Sequence, residues 1–152
     1  MERIAHVVVS SRFVFGLLRA NVGGNANTMM QRRNNLSADL LARFRDRLRL
    51  PLIAAPMFLV SGVELVVAAC RNGVIGSFPT VNCRETEQLD AWLGDIARRL
   101  RAQEDASGKA AAPICPNLIV HRSNARLQQD LAVLLRHEPE LVITSVGSPA
   151  PV

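Results

Sequence analysis

The chain has 152 residues, 49% apolar and 20% charged, with a formal net charge of +5. This excludes intrinsic disorder and collagen-like or low-complexity sequence, and suits a domain with a sizeable core. The apolar runs are too short to span a bilayer, and three scattered cysteines (Cys70, Cys83, Cys115) fit neither a zinc site nor a disulfide framework, so buried thiols in a reducing, cytoplasmic setting are expected.

Residues 1–35 read as a basic N-terminal extension, either disordered or the product of a start codon assigned too early, with Met29 or Met30 nearer the true beginning. Arginine outnumbers lysine 17 to 1, and residues 1–50 hold nine arginines against Glu2, Asp39 and Asp46, whereas residues 51–152 are close to neutral. Nucleic-acid binding would want basic residues interleaved with aromatics along one face, which this segment lacks. Residues 36–152 form the regular part. Ser37 can cap a helix with Leu40, Leu41, Phe44 and Leu48 at 3.6-residue spacing, stopped by Pro51.

Residues 52–57 then form a short apolar run without alternation, as in a parallel strand buried on both faces. Ser61-Gly-Val-Glu64 has capping-box spacing and opens a helix that ends at Asn72-Gly73. Val74–Phe78 is a second strand, and Asn82 with Glu85 caps a helix carrying Leu89, Trp92, Leu93, Ile96 and Leu100 on one face. Ile114–Val120 is a third strand, Ser123 or Asn124 starts a helix with Leu127, Leu131, Leu134 and Leu135 inward, and Leu141–Val146 is a fourth strand. Three strand–helix units and a further strand predict an α/β fold with a parallel sheet.

Ligands of such folds bind at the carboxyl ends of the strands. Those ends are Pro56-Met57-Phe58, Ser77-Phe78-Pro79, Asn117 with His121, and Ser145-Val-Gly147. They hold one histidine and no carboxylate, with no nucleophile–base pair, metal-ligand cluster or glycine-rich phosphate loop. His121 reads as a polar loop residue. The residues alone predict a backbone-lined pocket for a flat, neutral or polar ligand.

Leu50–Met57, Ser61–Leu65, Asn72–Ser77, Pro116–His121 and Val142–Pro149, in that order, resemble the first half of nitronate monooxygenases, once called 2-nitropropane dioxygenases. The resemblance covers about residues 48–149. It implies a partial TIM barrel, about the first four strands and three helices of a (β/α)8 barrel, that binds FMN and oxidises alkyl nitronates with O2. By the same resemblance, the Ala55-Pro56-Met57 strand end lies against the flavin ring, where main-chain groups bond its polar edge. Asn117 matches a flavin-contacting asparagine, and Ser145 and Gly147 fall near the substrate.

A complete barrel needs about 250 residues. The family's catalytic histidine and phosphate-binding loops fall beyond residue 152, so no residue here takes a catalytic role. The proline–methionine strand is shared with flavin-dependent enoyl reductases and NAD(P)H:quinone reductases, which are the rival enzyme reading. A non-catalytic half-barrel joining a separately encoded second half is the other rival. Open edges on the first and fourth strands predict aggregation or a homodimer that closes the barrel.

Overall fold

Three helices form where the apolar spacing places them. In the computed structural model, which describes residues 6–8 and 44–147, α1 spans Val63–Arg71, α2 Thr86–Ser107 and α3 Leu127–His137. Val66, Val67 and Cys70 of α1, Leu89, Leu93 and Ile96 of α2, and Val133 and Leu134 of α3 bury in one cluster with Phe78, Leu118, Val120 and Val142. Each aliphatic side chain fully buried there contributes about 1.5–3 kcal/mol. The rings of Phe78 and Trp92 meet at 5.6 Å with planes tilted 55°.

Strand β2 (Asn117–Ile119) pairs in parallel with β3 (Val142–Ser145), Asn117 opposite Ile143 and Ile119 opposite Ser145. The first two expected strands join this progression through single parallel bridges, Ile53 with Ile75, Gly76 with Ile114 and Pro79 with Asn117. Prolines account for the broken ladders, because Pro56, Pro79, Pro113 and Pro116 have no N–H to donate. Main-chain bonds still cross every gap. Ala54 N–H donates to Ile75 O and Cys115 N–H to Gly76 O, both at 2.8 Å, while Asn117 N–H donates to Phe78 O and Ile143 N–H to Pro116 O, both at 2.9 Å. The architecture is mixed α/β with a parallel β2–β3 sheet, as the alternation of elements predicts.

The opposite sheet face carries a second cluster of Phe44, Ile75, Cys115, Leu141 and Ile143, with Leu48 packed against it. Successive side chains of a strand point to opposite faces. Leu118 and Val142 therefore meet the helices, while Ile143 and Cys115 meet Phe44. Burial on both faces is the reason these strand sequences do not alternate. Of the helix expected before Pro51, the described part is one turn, with Leu48 N–H donating to Phe44 O at 3.0 Å. Ser37, Leu40 and Leu41 lie outside the described residues.

The expected side-chain caps are not made. Gly62 is the N-cap of α1 without a side-chain bond, and Glu64 instead forms a two-pronged pair with Arg99 at 2.6 and 2.7 Å. Asn82 belongs to a 3₁₀ turn, Thr80–Asn82, and α2 starts later, at Thr86 with Glu85 as N-cap. Arg126, not Ser123 or Asn124, is the N-cap of α3. The expected stop at Gly73 holds, with φ 74 after the C-cap Asn72, whereas α2 runs through residues 105–107, which read as loop, to Ser107 before Gly108 turns it at φ 65.

Of residues 1–35, the described part is β1 (His6–Val8), which pairs antiparallel along β3 with His6 opposite Thr144 and Val8 opposite Val142. Ile143 N–H donates to Pro116 O, and Ser145 O accepts Val120 N–H, both at 2.9 Å. The main-chain groups of Val142 and Thr144 alternate with these and face β1. The β3 edge, expected to be open, is thus covered by the chain itself, whereas Leu52 and Ile53 of the first segment are exposed. Among the described residues, no helix is long and apolar enough to cross a membrane.

Close packing makes Gly76 sensitive. A Cβ on Gly76 would lie 2.7 Å from Val66 O and 2.8 Å from Cys70 Sγ, so α1 rests directly on the strand main chain. Gly76→Ala is expected to cost about 1–3 kcal/mol, read as a lower urea midpoint. The three cysteines are free and buried. Desolvation raises the thiols, to about 11 for Cys70 and about 12 for Cys83 and Cys115, above their ordinary 9.0. The folded state therefore favours the neutral thiols. Their contribution is fully present below pH 9 and is lost as pH rises from 9 toward 12, so the urea midpoint falls over that window. A triple Cys→Ala variant that retains the full fall would refute this assignment.

Candidate functional site

The carboxyl ends of the parallel segments gather at one end of the sheet. Pro79 bridges to Asn117, Asn117 stands opposite Ile143 and Ile119 opposite Ser145, so Asn117 and Ser145 lie on neighbouring strands. A Cβ on Gly147 would lie 3.1 Å from Val120 O, so the chain leaving β3 passes close over the end of the third segment. Ala55, Pro56 and Met57 flank this row, following the bridge of Ile53 to Ile75. Asn117 is buried and its Oδ1 has no hydrogen-bond partner. Ser77, also buried, donates to Cys115 O and is spent on the sheet.

The main chain at Ala55–Met57 is largely committed. Ser61 Oγ donates to Ala55 O at 3.1 Å and accepts Met57 N–H at 3.0 Å. Met57 O accepts Ser61 N–H at 3.0 Å and Asn82 Nδ2 at 3.1 Å. Pro56 has no N–H. The expectation that these main-chain groups bond a ring edge is thereby narrowed: what this strand end offers freely is the apolar surface of Met57 and Phe58, 41% and 64% exposed.

Ser61 and Asn82 have the residue types and spacing of helix caps, but the structure gives them a different role. Asn82 spans the turn after the first segment, donating to Met57 O and, at 2.8 Å, to Ser61 O, while its Oδ1 accepts Leu59 N–H at 3.0 Å. Leu59 sits at φ 62, in the left-handed region that is costly for a branched side chain. Val146 at φ 63 is the matching case after β3. Strained backbone at two strand ends on the same end of the sheet is typical of functional sites.

Beneath this row, Arg126 ties the loop after the second segment to α3. Its guanidinium donates to Arg84 O, to Thr80 O at 3.4 Å and to Asp130 Oδ2 at 3.2 Å. Asp130 is fully buried and its Oδ1 has no partner. His121 is exposed and engaged locally, its Nδ1 2.7 Å from Ser123 Oγ, as a polar loop residue would be. Among the described residues, no group of three His, Cys, Asp or Glu side chains could hold a metal ion.

No protein-family model matches the chain, and no curated protein matches it.

The Asn82 clamp carries its own test. Asn82→Ala removes all three bonds and is expected to cost about 1–3 kcal/mol. Hydrogen exchange at the Leu59 and Ser61 amides should accelerate well beyond that at β2. Leu59→Gly in the same background should recover about 1 kcal/mol by removing the left-handed penalty.

Proposed function

We propose that this chain is the flavin-ring-binding half of an FMN-dependent barrel of nitronate monooxygenase type. The observation that carries the reading is the buried, unpartnered Oδ1 of Asn117 beside the Ile119–Ser145 pair at the carboxyl ends of the strands. A carboxamide oxygen held there without a donor suits a ring N–H, and the exposed Met57 and Phe58 supply an apolar surface at the same end. Four parallel segments in sequential order, separated by helices packed on one sheet face, agree with the first half of such a barrel. Asn117 would accept from the ring edge and Met57 would pack on its face, with Ser145 and Gly147 toward the substrate. FMN, when bound, supplies a two-electron acceptor for the alkyl nitronate and passes electrons to O2.

A second reading has its own observation. Leu50, Leu52, Ile53, Met57, Phe58, Leu59 and Val60 are all exposed within one short stretch of chain. An apolar edge of this length is typical of an association surface. It favours association through the first-segment edge, with a second copy or a separate chain, since the β3 edge is already paired with β1. The enoyl and quinone reductase readings share the strand-end residues and have no observation of their own.

The expected behaviour of the 152-residue chain is weak but measurable FMN binding, seen as quenching of flavin fluorescence, and background oxygen uptake with an alkyl nitronate. Asn117→Ala should weaken that quenching about 5- to 30-fold, the equivalent of one lost buried hydrogen bond. Unchanged quenching in Asn117→Ala would remove the ring-edge assignment. Yellow purified protein that consumes oxygen with nitronate would show that this chain suffices for the activity.

A further inference from the structure

At the opposite end of the sheet lies a cleft that the flavin reading does not use. Arg47 and Arg49 precede the first segment, Arg71 and Gly73 the second, and Lys109 the third, and all of them line one space of about 270 Å3. Four cationic side chains face it, and no carboxylate is among its lining residues. A sphere of that volume is about 8 Å across, on the order of one Debye length at physiological ionic strength, so these charges act on any occupant together.

Part of the cluster has a structural explanation. Arg47 donates to Ala111 O at 2.7 Å and pairs with Glu140 at 2.6 Å, which fixes its guanidinium and neutralises it. Arg71 lies in the last turn of α1, where a cation opposes the helix dipole, and it donates to Arg99 O at 3.2 Å. The side chains of Arg49 and Lys109 have no hydrogen-bond or ion-pair partner among the described residues. The Arg49 main chain is nevertheless fixed: its N–H donates to Gly73 O at 2.9 Å, and a Cβ on Gly73 would come within 2.6 Å of the Arg49 nitrogen. A rigid anchor therefore carries an uncommitted guanidinium.

Gln103 is the independent observation. It reaches the cleft from α2, and its Oε1 is buried with no hydrogen-bond partner. Cations alone would welcome any anion, whereas an unpartnered acceptor among them asks for an anion that also carries a donor. Hydrogen phosphate does, through its P–OH, while sulfate and the phosphate monoester dianion at neutral pH do not.

We propose that this cleft is a binding site for hydrogen phosphate, held by Arg49 and Lys109 and read by Gln103. The site is separate from the strand-end site and does not depend on the flavin assignment. Its size and its convergence at one point suit a free small molecule over a polyanion, which would need basic groups along a face.

The test is calorimetric titration of the full chain with inorganic phosphate, and separately with sulfate, at matched ionic strength. Saturable one-to-one phosphate binding, several-fold tighter than sulfate, is expected. Arg49→Gln and Lys109→Gln should each weaken phosphate at least fivefold. Gln103→Leu should bring phosphate and sulfate to equal affinity, and Arg101→Gln, on exposed α2 surface, should change neither. Circular dichroism confirms that each variant is folded. Absence of saturable binding, equal loss in Arg101→Gln, or phosphate and sulfate binding alike in the unaltered chain would each overturn the proposal. So would a short DNA duplex that binds more tightly than phosphate through the same two cations.

Discussion

Burial of the parallel segments on both faces is the constraint on which the rest of the structure depends. The helices cover one face through Val66, Leu93 and Val133, and Phe44 with Leu48 covers the other. The segments consequently have no polar side of their own, and their main chain must be satisfied within the sheet. Prolines remove several donors, yet the remaining N–H groups at Ala54, Cys115, Asn117 and Ile143 still bridge each neighbour. Gly76 shows how tight the arrangement is, since no side chain fits between the strand and α1.

With the middle of the sheet closed in this way, freedom is left only at its two ends, and the two ends differ in chemistry. The carboxyl end is strained and apolar, with Leu59 and Val146 in left-handed backbone and an orphaned Asn117 oxygen beneath the surface. The amino end is cationic and rigid, built on Arg47 and Gly73. Among the described residues, Cys115, Ile75 and Ile143 pack in an apolar cluster between them. Electrostatic effects at one end therefore reach the other only through an apolar layer.

Much of this was legible in the sequence. The 3.6-residue spacing located α1, α2 and α3, the unalternating runs announced strands buried on both faces, and Gly73 stood where a left-handed turn was needed. The caps were misread for a physical reason. Ser61 and Asn82 have the residue types and spacing of caps, but each finds a better set of partners across the turn at Met57–Ser61 than in the helix that follows. Spacing reports what a side chain could reach along its own segment and is silent on what the fold brings from elsewhere. The same limit hid the bonds from Arg126 to Thr80 O and Arg84 O and the cationic cleft, whose members come from separate stretches of chain.

The pairing of β1 with β3 joins residues 6–8 to residues 142–144, a long separation in sequence. Such a contact raises the mean sequence separation and slows the last step of folding. On a ribosome the order of events is favourable even so. β1 is made before β3 and waits for it for roughly ten seconds at ordinary elongation rates. When the edge of β3 forms, its cover is already present, so the interval in which that edge could recruit another nascent chain is short.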